Sequence, residues 1–415
     1  MYTIIFWIII VFLLADVSLG AWLDYLNRKS ASSPIPSELE GIYDDEKYHK
    51  QQNYFIANNK FGTISNLFDL GVMLSMLFFF GFGFIDGIAR NLISFTGTWG
   101  YICTGLIFFG ILYFANEILT LPFHIYDTFG IEQRFGFNKT TPRLFISDTI
   151  KEWIVSAFVG GIIIGLLMLF YKVTGNYFWI LGWGVISIFS ICAMMFYSTL
   201  IVPLFNKQTP LEKGELRTAI EDFCKKTDFK LDNLYVMDSS KRSTKANAYF
   251  SGLGAKKRIV LFDTLISTLT TEEIVAVLAH EIGHYKHKHT KKMLIFNICY
   301  FGFMFFILSL FLKYSDFLAT ALGGKEGGSF WLSMIAFFML FSPITTLTGV
   351  VINVISRKNE YQADAFAKKQ GLGKPLIEAL KKLSSSTLSN LTPHPYYIFF
   401  HYSHPSLYQR IRALK

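Results

Sequence analysis

Charge is scarce in this chain. Asp, Glu, Lys and Arg make up only 17% of its 415 residues, which excludes a disordered polyelectrolyte. Cysteine is scarcer still: Cys103, Cys192, Cys224 and Cys299 stand apart, with no C-x-x-C spacing. Neither a disulfide framework nor a cysteine metal site is indicated. There is no repeat of solenoid or collagen type. What fills the chain is apolar: 52% of residues are hydrophobic, 17% are aromatic with 43 Phe, and the mean hydropathy is +0.37. The length could hold two or three soluble domains. The apolar residues, however, gather in runs too long for strands and too uniform for surface helices, which points to the bilayer.

Seven such stretches, at 3–23, 64–85, 100–121, 153–171, 178–202, 293–312 and 329–352, are long enough to cross ~30 Å of hydrocarbon at ~1.5 Å per residue. The first could also be a cleaved signal peptide ending at Ser18-Leu19-Gly20, although no Lys or Arg precedes it. The loops after odd-numbered spans carry 5, 4, 16 and 10 Lys plus Arg, whereas the even-numbered loops hold Arg90, Lys172, Lys313 and Lys325. Positive loops stay inside, so the N-terminus is placed outside and both large polar segments in the cytoplasm. The net charge of +9 is therefore read as membrane topology, with no nucleic-acid partner. Asn138-Lys139-Thr140 and Asn390-Leu391-Thr392 fall on the wrong side for glycosylation.

This division gives spans one to five with cytoplasmic loops 24–63 and 122–152 over residues 1–202, a cytoplasmic catalytic segment at 203–292, spans six and seven at 293–352, and a cytoplasmic C-terminal segment at 353–415. Asp16, Asp69, Asn116, Glu117 and Asn297 lie within apolar spans. Such groups are costly against lipid, and together they favour a wet interior over simple interhelical bonding.

From Pro203 the composition becomes that of a soluble domain. Leu211 to Lys226 reads as an amphipathic helix, and Leu234–Met237 and Arg258–Phe262 as strands of a small sheet or hairpin. Thr270-Thr271-Glu272-Glu273 is a helix start with a hydroxyl cap and acids in the first turn. The helix it opens carries His280-Glu281-Ile282-Gly283-His284. Two His four apart share one helix face and can reach one tetrahedral zinc, while Glu281 can hold the attacking water. From this composition the pattern arises by chance somewhere in the chain with a probability of roughly 0.7%.

A zinc peptidase also needs a third protein ligand. Ser356 to Asp364 opens a second polar helix after the seventh span, with Glu360 as that ligand and Asp364, one turn on, as acceptor for the other N–H of a ligating His. His287, seven residues and about 10.5 Å beyond His280, cannot share its metal. His289 points to the opposite face, and Lys286 to Lys292 reads as a solvated helix end.

His280 to His284 followed by Glu360 and Asp364 resembles the gluzincin metallopeptidases. The blocks Phe135-Gly136-Phe137-Asn138-Lys139-Thr140, Asn247-Ala248-Tyr249-Phe250-Ser251-Gly252, Val260-Leu261-Phe262-Asp263-Thr264-Leu265 and Ser403-His404-Pro405-Ser406 are similar to those of the type I CAAX prenyl proteases, nearly end to end. The short C-terminal end looks more like bacterial members. The resemblance implies a mainly α fold with seven transmembrane helices around a water-filled chamber and one zinc at its cytoplasmic side. It implies His280, His284 and Glu360 as ligands, Glu281 as base, Asn247 and His404 as substrate-side polar groups, and Arg410 orienting the glutamate helix.

The partners would be a peptide or protein substrate, isoprenylated in the CAAX case, and the lipid bilayer. The location would be the endoplasmic reticulum membrane in a eukaryotic host or the inner membrane in a bacterium. A quality-control metalloprotease without prenyl specificity and a transporter with structural zinc remain alternatives. An intramembrane protease would bury His-Glu-x-x-His in a span, which Lys286, Lys288, Lys291 and Lys292 argue against.

Overall fold

The computed structural model describes residues 1–230, 233–251, 258–325 and 328–415. Among them, seven helices are long and apolar enough to cross a membrane: α1 (Tyr2–Ala31), α2 (Asp45–Phe78), α4 (Gly97–Phe135), α5 (Pro142–Thr174), α6 (Phe178–Phe205), α9 (His289–Ala321) and α10 (Phe330–Lys369). The shorter α3 (Gly81–Leu92) follows α2. Each apolar stretch read from the sequence falls mainly in one of these helices, α1 included, but the second is broken at Phe79–Phe80, and its last residues, 81–85, open α3. Helix α1 buries Ile9, Ile10 and Leu23, and the side chain of Asn27 accepts from the backbone N–H of His394 at 3.1 Å.

The helices outrun the apolar stretches. Helix α10 has 40 residues, about 60 Å at the standard rise, twice the hydrocarbon thickness. This corrects one expectation: no second helix opens near Ser356. The seventh span continues unbroken to Lys369 and carries Glu360 beyond the apolar stretch on the same rod, because backbone hydrogen bonding does not end where the apolar composition does.

The helices enclose space. A solid globular protein of 47.5 kDa exposes about 16,000 Å², whereas this chain exposes 21604 Å². Few residues within the spans are buried (6–22% of each apolar window), as expected when one face meets lipid and the other a chamber. Asp16, Asp69, Asn116, Glu117 and Asn297 are all at least partly accessible. Glu117 also bonds across to α5, accepting from Trp153 Nε1 at 2.8 Å.

The polar segments fold together at one end of the bundle. Strands β1 (Gln208–Pro210), β2 (Leu234–Met237), β3 (Ala248–Ser251) and β4 (Arg258–Phe262) form one sheet in the order β1-β2-β4-β3. Both expected strands exist. They pair in parallel, Leu234 opposite Ile259, so the connection is a crossover and not a hairpin; β1 and β3 join antiparallel at the edges. Gly252 of the Asn247 block lies outside the described residues.

Helix α7 (Glu215–Lys226) starts later than expected, because the Leu211 N–H donates to the Leu234 carbonyl at 3.0 Å and extends the β1 pairing. Helices α8 (Thr271–Lys286), α11 (Gly373–Ser386), α12 (Pro395–His401) and α13 (Leu407–Leu414) complete the module. Its core includes Ile220, Leu261, Leu265, Ala276, Ala279, Ile282 and Ile411, all buried.

Candidate metal centre

The centre is built where α8 crosses α10. Helix α8 begins as its sequence promised. Thr270 Oγ1 accepts from the Glu273 N–H at 3.3 Å, and Glu273 Oε2 accepts from the Thr270 N–H at 2.8 Å, a reciprocal cap that fixes the helix start. Lys382 of α11 reaches the same carboxylate at 2.7 Å. About three turns on, α8 and α10 come close because Gly283 has no side chain. A Cβ there would lie 3.0 Å from Ala363 Cα, 3.1 Å from the Ala363 carbonyl oxygen and 3.2 Å from Phe366 Cβ. Gly283 is a site-forming residue that reading the motif by its ligands alone overlooks.

Across this contact three side chains converge. His280 Nε2 and His284 Nε2 are 3.1 Å apart, His284 Nε2 is 3.2 Å from Glu360 Oε1, and His280 Nε2 is 3.3 Å from Glu360 Oε2. The three donors lie within 4.8 Å of one another. Glu360 Oε2 is buried without a hydrogen-bond partner, a costly state for a carboxylate oxygen unless a cation meets it.

The supports are as specific as the donors. His280 Nδ1 is 2.8 Å from Asp364 Oδ1. Asp364 is in turn gripped by both arms of Arg410, from Nη2 at 2.6 Å and from Nε at 2.9 Å, while Arg410 Nη1 lies 3.7 Å from Glu360 Oε2. Asp364 is 1% exposed and Glu360 3%, and truncating one partner of such a buried pair costs ~3–5 kcal/mol. Burial pushes the His280 pKa down, but the hydrogen bond to Asp364 and the nearby Glu360 carboxylate more than offset this and hold it up to about 9. The surroundings favour positive charge.

Glu281, half-buried beside His280, adds to that field at both His280 and Arg410. Arg410 comes from α13, whose N-cap Ser406 makes its own reciprocal cap with Gln409. His404, just before α13, places Nε2 at 3.4 Å from Glu360 Oε1 with its side chain 62% exposed, on the open side of the cluster. The turn bearing it is held by Arg357 of α10, which donates to the carbonyls of Ile398 and Tyr402. Arg357 is a second positioning residue that carries no motif signal.

Asn247 stands apart. It is exposed at the head of edge strand β3, its Oδ1 accepts from the Ala248 N–H at 2.8 Å, and its carbonyl accepts from the Phe262 N–H. The segment before it is tied to the membrane half: Arg242 bonds Asp148 at 2.7 Å, and Lys245 pairs with Glu132 at 2.6 Å and with the Tyr54 hydroxyl at 3.1 Å. His289 contradicts its sequence reading. Its Nδ1 is 3.0 Å from His284 Nδ1, because α8 ends at Lys286, Lys288 adopts φ 59°, and α9 restarts at His289. His287 is exposed and bonds no donor of the cluster.

Two imidazoles on one helix and a carboxylate from the helix packed against it, with an acid beside the first imidazole and a hollow ring of apolar helices alongside, define a metalloendopeptidase embedded in a membrane. The chain belongs to peptidase family M48. Residues 210–415 match that family, and residues 24–207 match the family described as CAAX prenyl protease N-terminal, five membrane helices.

CAAX prenyl protease 1 of Saccharomyces cerevisiae is 36% identical, over 97% of this chain and 93% of its own length. The CAAX prenyl protease 1 homolog of Homo sapiens is 32% identical, over 92% and 88%. The crystal structure of S. mikatae Ste24p shares the fold with a TM-score of 0.93 and 34% identity, covering 99% of both chains. These relatives are eukaryotic, so the bacterial character read from the short C-terminal end draws no support from them.

Proposed function

We propose that the chain is a zinc endopeptidase that hydrolyses peptide bonds near the C-terminus of isoprenylated CAAX-type substrates, on the cytoplasmic side of its membrane. The observation that carries this reading is the spacing of the donor set. Zinc bonds of about 2.0–2.1 Å arranged as a tetrahedron separate neighbouring ligand atoms by about 3.3 Å; here the two imidazole nitrogens are 3.1 Å apart, and each lies 3.2 to 3.3 Å from a different oxygen of the Glu360 carboxylate. Two imidazole nitrogens with one carboxylate are a peptidase donor set that keeps a fourth position open, and the orphaned Glu360 oxygen fits a cation. His280, His284 and Glu360 would hold one zinc per chain. When bound there, the ion supplies Lewis-acid polarisation of the scissile carbonyl and makes water acidic enough to act near neutral pH.

The protein's own residues do the rest. Glu281, on the same helix as both imidazoles, orients the attacking water and takes its proton, then returns it to the departing amine. His404, exposed on the open side, donates to the oxygen that gains charge as the carbonyl is attacked. Asn247 marks the start of β3, the strand at the sheet edge, where an extended substrate adds as a further strand through backbone hydrogen bonds. Arg410 and Asp364 hold the His280 ring and the Glu360 helix in register.

The substrate class rests on the names of the relatives, CAAX prenyl proteases. The cytoplasmic side rests on the loop charges, and the eukaryotic relatives favour the endoplasmic reticulum membrane. Incubating purified protein with the same C-terminal peptide in farnesylated and unmodified forms, and mapping the products by mass spectrometry, tests the proposal. Chelator-sensitive cleavage near the modified cysteine, much faster with the prenyl group, is expected. Equal cleavage of the unmodified peptide would move the assignment to quality-control proteolysis. A zinc-loaded protein that cleaves neither would favour the transporter.

A further inference from the structure

His289 is the one histidine contacting the metal centre that the proposed chemistry leaves unused. It is 4% exposed, opens α9, and folds back beneath His284 through the left-handed turn at Lys288. Its Nδ1 is 3.0 Å from His284 Nδ1, and its Nε2 is 2.8 Å from Oε1 of Gln362, two residues beyond Glu360 on α10. The rings of His284 and His289 meet edge to face, 5.1 Å between centroids at 77°. One chain of contacts therefore runs from the glutamate helix through the first residue of a membrane helix to the back of His284.

We infer that His289, held by Gln362, is a positioning residue that fixes the tautomer and ring orientation of His284. The proton count follows from which atoms can donate. Gln362 Oε1 only accepts, so His289 carries its proton on Nε2 and leaves a lone pair on Nδ1. That lone pair accepts the Nδ1–H of His284. His284 Nε2 then keeps its own lone pair, aimed at Glu360 Oε1 and His280 Nε2. A reversed Gln362 amide would turn every donor round and leave His284 protonated on Nε2, where it could not act as a ligand.

The two imidazoles of the motif thus have different supports. His280 is backed by the Asp364 carboxylate, which adds negative charge, whereas His284 is backed by a neutral imidazole and amide, which orient it without adding charge. The inference rests on the reading above that His284 binds the metal through Nε2.

The test uses full-length purified protein and reads zinc affinity by competition with a chelator, alongside melting of the metal-free protein. His289→Ala is expected to weaken zinc binding about 10–100-fold, the usual scale for losing such a support. His289→Asn places an acceptor oxygen where Nδ1 was and should recover most of the loss. Gln362→Leu, which frees the far end of the relay, should weaken binding in the same direction but less. His284→Ala is the reference and should abolish tight binding.

Wild-type affinity in His289→Ala with binding abolished in His284→Ala overturns the inference alone. So does an Asn variant no better than Ala, because the ring would then act by filling space. Where His289→Ala melts too low to assay, wild-type affinity in Gln362→Leu overturns the inference. Retained zinc in His284→Ala overturns the ligand assignment and this inference with it.

Discussion

Gly283→Ala tests whether the approach of two helices builds the centre. The added Cβ would stand 3.0 Å from Ala363 Cα and 3.1 Å from its carbonyl oxygen. Comfortable carbon contacts lie at about 3.5–4.0 Å, so α8 and α10 must part by roughly half an ångström, and a backbone neighbour cannot rotate aside as a side-chain end can. Overpacking of this kind costs ~1–3 kcal/mol. The consequence for the site is more specific than lost stability. His280 and His284 move together on α8 while Glu360 stays with α10, and metal sites tolerate ligand displacements of only about 0.2 Å.

The expected result is a lower melting temperature for the metal-free protein and, measured separately by chelator competition, a zinc affinity reduced by at least tenfold. Gly283→Val, with a larger side chain at the same contact, should exceed both effects. An alanine variant that melts and binds zinc like the wild type would refute the reasoning, since the helix contact would then have slack.

Further outcomes follow from other parts of the structure. Lys288 sits at φ 59°, a conformation that costs a non-glycine residue about 1 kcal/mol, so Lys288→Gly should raise the melting temperature. An unchanged or lower value would mean that the turn is not strained. Although burial pushes the Glu273 pKa up, the hydrogen bonds from Lys382 and the Thr270 N–H hold it below its ordinary 4.5. Its stabilising effect is therefore full above pH 4.5 and is lost as pH falls through the depressed value. Lys382→Met should shrink the fall in stability over that acid range, and parallel melting curves against pH for both proteins would remove the pair from the account. Reporters at Lys415 and near Lys213 should read cytoplasmic, and one near Lys325 should read outside. An outside Lys415 would overturn the placement of the centre.

The spans were legible because a bilayer crossing needs some twenty apolar residues, a signal that composition alone delivers. Where the helices end was not, as α10 shows: hydropathy stops near residue 352, and the helix runs on to Lys369. The cluster was legible because His280 with His284, and Glu360 with Asp364, sit four residues apart on their helices, and the structure brings the four side chains together. Their supports were less so. His289 was misplaced because the α8–α9 break occurs at Lys288 with no Gly or Pro to announce it, and a continuous helix would have turned the ring away. Strands β2 and β4 stood out as β-rich runs, but their parallel pairing depends on a crossover that local pattern does not encode. Gly283 had a readable signal, a small residue inside the motif, whose meaning appears only once Ala363 is seen against it.

The central claim is that Glu281 performs chemistry beside a metal that it does not hold. Glu281→Gln keeps the shape and the hydrogen bond to water but cannot take a proton. Zinc content, melting temperature and cleavage of a farnesylated C-terminal peptide should be measured together in this variant and the wild type. The account requires zinc and stability to stay at wild-type levels while cleavage falls by about 10² to 10⁴-fold, the range for a lost general base. Cleavage at the wild-type rate with zinc in place would contradict it.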